Sequence, residues 1–237
     1  MSGSKYPQMS ERISFRWIAF FIFVVADIIC LNEYPSIRIF TKPFLIPALT
    51  VAYYLDARPL SGPSRLFIAA LACSWLGDVL LMLDAQDPGF FMAGLLAFLT
   101  AHLLYIWYFK RISSTKKSFL KSRPVMLLAV VVFVFELLYI LWPGLGSMKI
   151  PVIIYASVLG TMLAFALWQY GKIDQRAALL FISGAMLFVL SDSLLAINRF
   201  RIGFTGAGTW VMLTYCLAQF LLARGSIRHL QQKPPED

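Results

Sequence analysis

Long apolar runs separated by short polar stretches occupy most of this 237-residue chain. Eight runs can be drawn, each about 15–23 residues long, against roughly 20 residues that an α-helix needs to cross hydrocarbon. They cover residues 15–32, 43–57, 65–84, 89–109, 124–142, 150–170, 176–198 and 208–225. The runs are continuous rather than alternating, which argues against a transmembrane β-barrel. We therefore predict an all-α fold, a polytopic transmembrane bundle of about eight spans.

The connections between these runs are short, which predicts one integral membrane domain over residues 1–237 without an appended soluble domain. The second run contains Pro43 and Pro47, so its helix is expected to tilt or to begin nearer Ile37. Residues 226–237 are predicted to form a polar C-terminal tail.

Composition supports a membrane protein, because 59% of the residues are hydrophobic and only 14% are charged. The net charge of +9 is spread over the loops and comes with no zinc-finger spacing or arginine-rich tract, so no nucleic-acid partner is expected. With eight spans, only five of the 21 Lys and Arg residues lie in the outer loops: Arg38, Lys42, Lys149, Arg199 and Arg201. The largest inner cluster comprises Lys110, Arg111, Lys116, Lys117, Lys121 and Arg123. The positive-inside rule then predicts cytoplasmic termini, in the inner membrane of a bacterium or the endoplasmic reticulum of a eukaryote.

Two aspartates lie in nearly the same apolar frame on the third and seventh runs, Asp78 between Gly77 and Val79 and Asp192 between two serines. A carboxylate near the bilayer centre costs roughly 2.5–3.5 kcal/mol, so it usually faces a site rather than lipid. The two positions are 114 residues apart, on helices that run in the same direction, each roughly 9 Å below the outer boundary. This pattern predicts a paired-carboxylate site and fits a parallel 4+4 internal duplication.

Further polar side chains lie on common helix faces in the membrane. His102 and Tyr105 are three residues apart, and Tyr215 and Gln219 are four apart. Arg199 lies two turns beyond Asp192, where its planar fork of donors suits a lipid phosphate. The alternative is that such residues only join helices through ordinary hydrogen bonds.

Acidic residues also occur in the outer halves of the first and fifth runs, namely Asp27 and Glu136. Lys42 begins the second run at a similar depth and is expected to pair with one of the membrane acids.

Other chemistry is not indicated by the sequence. There is no GxSxG, HExxH or phosphate-binding glycine loop. The three cysteines lie inside apolar runs without a CxxC spacing, and only two histidines exist. We therefore predict no metal and no cofactor, with carboxylates as the available catalytic groups.

A set of short motifs, taken in order, resembles the YhhN-like membrane family. The motifs are Lys42-Pro43, Gly77-Asp78, His102-Leu103-Leu104-Tyr105, Ser191-Asp192 with Ala196 and Asn198, and Tyr215 with Ala218-Gln219. The resemblance covers residues 32–222. It implies eight spans and hydrolysis of the vinyl ether bond of lysoplasmalogens to a fatty aldehyde and glycerophosphoethanolamine or glycerophosphocholine, with Asp78 and Asp192 as the catalytic pair.

Vinyl ether hydrolysis suits these residues chemically. It requires an acid that protonates the double bond, an anion near the oxocarbenium ion and a base for water, and two carboxylates in unlike environments can divide these tasks. The expected substrate is a lysophospholipid in the bilayer, contacted by Lys42, His102, Tyr105, Asn198, Arg199, Tyr215 and Gln219. The sequence leaves open which aspartate is the acid, and it leaves the oligomeric state open.

Two other classes of function remain as alternatives. A proton-coupled transporter of a small molecule or lipid would also use paired membrane acids and a histidine. A non-catalytic lipid-binding protein would leave the cost of two matched acids without explanation.

Overall fold

The computed structural model describes residues 15–57, 60–84, 86–87, 89–115, 118 and 124–232. Within these residues the regular structure is entirely helical. The eight α-helices are α1 (Ile18–Glu33), α2 (Lys42–Asp56), α3 (Gly62–Met82), α4 (Gly89–Ile112), α5 (Val125–Leu141), α6 (Lys149–Trp168), α7 (Gln175–Phe200) and α8 (Ala207–Gln232). Short 3-10 helices cover Phe15–Trp17, Pro35–Phe40, Trp142–Gly144 and Gly146–Met148.

Seven of these helical segments are long and apolar enough to cross a membrane, each containing one of the α-helices other than α2. The predicted all-α transmembrane bundle is therefore confirmed, and the protein is an integral membrane protein. Helix α2 has 15 residues and carries Pro43 in its first turn, where a missing N–H group leaves no helical hydrogen bond unmade. The 3-10 helix Pro35–Phe40 leads into it.

Helix α8 lies at the centre of the bundle and is the most buried of the seven, whereas α5 is the least buried. Helix α8 packs mainly on α7 and also contacts α1 and α2, and the other closest pair is α3 with α4. Helix α6 joins the two pairs because it packs on both α4 and α7. Helix α8 extends to Gln232, and Ser226 in its C-terminal part is fully buried.

Two glycines allow these close helix pairs. A Cβ atom on Gly77 would lie 2.6 Å from the ring of Phe98, so α3 and α4 meet directly beside Asp78. A Cβ atom on Gly184 would lie 3.0 Å from the backbone of α8, at the Ala218 oxygen and the Leu222 nitrogen. Small residues at such crossings let membrane helices pack closely.

The predicted inner basic cluster is only partly described. Lys110 and Arg111 lie in the last turn of α4. Lys116, Lys117, Lys121 and Arg123 lie outside the described residues.

Candidate active site

Asp78 is buried in α3 between partners from two other helices. The Tyr215 hydroxyl of α8 donates a hydrogen bond to Asp78 Oδ2 at 2.7 Å. The Lys42 ammonium at the start of α2 lies 3.6 Å from Asp78 Oδ1. Lys42 is only 8% exposed and Asp78 3%, so this is a buried ion pair, and each charge depends on the other for compensation.

Asp192 on α7 has different partners. The Tyr155 hydroxyl of α6 donates a hydrogen bond to Asp192 Oδ2 at 2.6 Å. The Nε2 atom of His102, on α4, lies 3.6 Å from the same oxygen. Among the described residues, no Lys or Arg forms an ion pair with Asp192. The two acids share a sequence frame but not a charge environment.

The contacts of the two acids correspond between the first half of the chain, α1–α4, and the second half, α5–α8. Asp78 is contacted by Lys42 on the second helix of its own half and by Tyr215 on the fourth helix of the other half. Asp192 is likewise contacted by Tyr155 on the second helix of its own half and by His102 on the fourth helix of the other half. Lys42 and Tyr155 are 113 residues apart, as are His102 and Tyr215. This equivalence supports the parallel 4+4 duplication.

Aromatic rings fill the space beside both acids. The ring of Phe188 makes edge contacts with His102 at 4.7 Å and with Tyr215 at 5.5 Å between centroids. Tyr215 also meets the ring of Phe98 at 5.9 Å, and His102 meets that of Tyr155 at 5.4 Å. One aromatic cluster thus holds three of the side chains that contact the acids, namely Tyr215, His102 and Tyr155, and edge-to-face ring pairs of this kind are favourable.

Tyr105 and Gln219 bind each other. The Tyr105 hydroxyl donates to Gln219 Oε1 at 2.6 Å, between two fully buried side chains. Within the described residues, the Gln219 Nε2 atom and both ring nitrogens of His102 are buried without a hydrogen-bond partner. Buried polar atoms of this kind commonly bind internal water.

An apolar cavity leads to Asp192. It lies among α3, α4, α5, α6 and α7 and contains about 560 Å³ of empty space, counting the part open to the surroundings. Besides Asp192 and Tyr155, its wall is formed by Leu81, Phe91, Leu95, Phe98, Leu137, Leu141, Val152, Ala156, Leu159, Leu195, Ala196 and Phe200. Asp78 is not part of this wall. The apolar lining of the cavity suits a hydrocarbon chain, and a carboxyl group lies in its wall.

The remaining predicted contact residues lie further out. Arg199 pairs with Asp84 and its guanidinium lies over the ring of Phe91. The Asn198 side-chain oxygen accepts a hydrogen bond from the Phe204 N–H group and so holds the turn after α7.

The outer acids are not partners of Lys42. Asp27 accepts hydrogen bonds from Arg38 and Thr41, and Glu136 is exposed on α5.

Three residues of this region escaped the sequence analysis, namely Tyr155, Phe188 and Asp84. A lone tyrosine or phenylalanine inside an apolar run is indistinguishable from a packing residue. The available signal was that Tyr155 lies within one residue of the position in the second half that corresponds to Lys42 in the first. Among the described residues, no group of three or more His, Cys, Asp or Glu side chains is placed to hold a metal.

Comparison with known proteins identifies the family. The YhhN family model matches residues 37–226. The human protein named Lysoplasmalogenase TMEM86B is 33% identical over 77% of this chain and 73% of its own length. A Mycobacterium tuberculosis protein named Lysoplasmalogenase is 30% identical over 75% of this chain and 66% of its own length.

The rat Lysoplasmalogenase TMEM86B is 33% identical over 94% of this chain and 87% of its own length. No solved structure matches the chain. The family match includes Asp78, Asp192 and the residues that contact them. The chain belongs to the YhhN family.

Proposed function

We propose that this protein is a lysoplasmalogenase that hydrolyses the vinyl ether bond of lysoplasmalogens within the membrane. The observation that carries the proposal is the pair of acids inside the helix bundle: Asp78 is buried, and Asp192 is partly buried and forms part of the wall of an apolar cavity. The names of the relatives supply the substrate, and the cavity supplies a place for its hydrocarbon chain.

We assign the role of general acid to Asp192. It faces the cavity, and among the described residues no Lys or Arg compensates a charge on it, so its neutral form is the less costly one in this apolar setting. In this reaction the Asp192 proton moves to the vinyl carbon distal to the ether oxygen. The resulting cation is an oxocarbenium ion. Tyr155 holds the carboxyl group in position through its hydrogen bond.

We assign to Asp78 the role of the group that is ionised when the substrate binds and that then acts as the base. Its charge is maintained by Lys42, and the carboxylate stabilises the cationic intermediate and accepts a proton from the attacking water. Water adds to the oxocarbenium carbon, and the hemiacetal collapses to the aldehyde and the glycerol hydroxyl. The side-chain nitrogens of His102 and Gln219, which have no hydrogen-bond partner within the described residues, offer hydrogen bonds to that water. In this proposal Lys42 pairs with Asp78 and does not bind the lipid phosphate.

The test is aldehyde release from lysoplasmenylethanolamine by the purified protein, with no ion gradient present. We expect Asp78→Asn and Asp192→Asn each to lower kcat by about 10²–10⁴-fold, the usual worth of a positioned proton transfer. Asp27→Asn is the matched control, because Asp27 is equally buried but pairs with Arg38. It should keep most of the activity.

Two results would oppose this proposal. Near-normal turnover of both aspartate variants would exclude them as the catalytic pair. Absence of aldehyde from well-folded wild-type protein would instead favour gradient-dependent transport by the same buried acids.

A further inference from the structure

An ion pair lies beside Phe91, one of the residues in the wall of the apolar cavity. Arg199 Nη1 lies 2.9 Å from Asp84 Oδ2, and Arg199 Nη2 donates to Asp84 Oδ1 at 3.2 Å. The guanidinium lies 4.7 Å from the centre of the Phe91 ring. Phe91 and the neighbouring Phe200 are both part of the cavity wall. The head group of a ligand that extends from the cavity past Phe91 would therefore meet two opposite charges.

This pair limits what Arg199 can bind. An arginine alone would attract any phosphate, but the charge of Arg199 is already balanced by Asp84 in a two-point contact. A phosphate that takes Arg199 leaves the Asp84 carboxylate without its cation and close to a second anion, which is unfavourable. A head group that brings its own ammonium satisfies both side chains at once.

We propose that Asp84 is a specificity-determining residue that binds the ammonium of zwitterionic lysophospholipid head groups and disfavours head groups with net negative charge. The inference rests on the proposed function for the identity of the lipid class. The Asp84 side chain is 19% exposed and that of Arg199 42%, so both are accessible to a ligand. Discrimination between head groups then depends both on repulsion between Asp84 and a head group of net negative charge and on attraction between Asp84 and the ammonium of a zwitterionic one.

The experiment measures equilibrium binding of two lysolipids with the same saturated alkyl ether chain, which cannot be hydrolysed by this route. One carries a phosphoethanolamine head group and the other a phosphate alone. Wild-type protein should bind the phosphoethanolamine lipid more tightly. Asp84→Asn should weaken its binding by about two- to fivefold, the range for one partly exposed charge contact. The same variant should leave binding of the phosphate lipid unchanged or tighten it.

Two variants control for general effects of lost charge. Arg199→Gln should weaken the binding of both lipids. Asp174→Asn removes the carboxylate of another Asp–Arg pair. Asp174 caps α7 at the end opposite Arg199 and pairs with Arg228 of α8, and asparagine retains the helix-capping function. This variant should bind both lipids as wild type does.

The assignment of Asp84 would be overturned by equal effects of Asp84→Asn on the two lipids, or by wild-type protein that binds them equally well. Because binding is measured without turnover, these results are separate from aldehyde release. Selective binding without aldehyde release would support the head-group site and contradict the proposed hydrolase. Aldehyde release without selective binding would support the hydrolase and contradict the head-group site.

Discussion

At the scale of single residues, two aspartates with almost the same neighbours in sequence have different partners in space. Asp78 is paired with the Lys42 ammonium, and Asp192 with the hydroxyl of Tyr155 and the ring of His102. Acid and base functions separate when two similar carboxyl groups occupy unlike environments. The difference between the acids is therefore produced by the helices around them, not by the frame in which each lies.

Tyr155 tests how Asp192 is positioned. Tyr155→Phe removes the hydroxyl that donates to Asp192 but keeps the ring that packs on His102. We expect kcat for aldehyde release to fall by up to about tenfold, which corresponds to the upper end of the roughly 0.5–1.5 kcal/mol that one neutral hydrogen bond contributes, with KM little changed. Steady-state kinetics on purified protein in detergent measure both constants.

The control is Tyr139→Phe, because Tyr139 lies on α5 and is 83% exposed. The kcat and KM of this variant should match those of the wild-type protein. A Tyr155→Phe enzyme with an unchanged kcat would mean that Asp192 is held by the helix alone.

Some of this site could be predicted from sequence, because a charged group in an apolar run stands out by its cost. Asp78, Asp192 and His102 were found for that reason. Tyr155 and Asp84 were not, because a tyrosine is common in membrane helices and Asp84 lies in a loop next to other polar residues. The choice of Asp78 over Asp27 as the partner of Lys42 depends on how α1, α2 and α3 pack, which no local pattern contains.

At the scale of elements, the close contact of α7 with α8 depends on Gly184. Gly184→Ala places a methyl group 3.0 Å from backbone atoms of α8, which cannot move as a flexible side chain would. Overpacking of this kind costs about 1–3 kcal/mol, so we expect Tm in detergent to fall by about 5 °C. Gly62→Ala is the control, because no atom lies within 4 Å of its Cβ position. A Tm for Gly184→Ala equal to that of the control would show that the two helices separate without cost.

The existence and type of the helices could be predicted, because apolar runs of this length have few alternatives to a membrane helix. Their ends depend on tertiary contacts. Helix α8 continues to Gln232, and near that end Ser226 is hydrogen-bonded by the hydroxyls of Tyr53 and Tyr108. A hydropathy pattern does not contain these long-range partners.

At the scale of the whole molecule, the distribution of basic residues predicts which end of the bundle faces the cytoplasm. We expect position 62, at the start of α3, to be inside and position 202, after α7, to be outside. A membrane-impermeant maleimide should label Ile202→Cys in intact cells but Gly62→Cys only after lysis, in protein whose native cysteines are replaced. Labelling in the opposite order would reverse the orientation of both termini.

The exchange of partners between the two halves has a consequence for the origin of the site. Each acid takes one contact from its own half and one from the other. A four-helix chain with one such acid would form this arrangement only as two parallel copies, and both acids would then be identical. Fusion of two such copies would remove that identity, because a lysine could then arise beside one carboxyl group and a tyrosine beside the other. In this view gene duplication created the pair, and the loss of symmetry made it capable of acid–base chemistry.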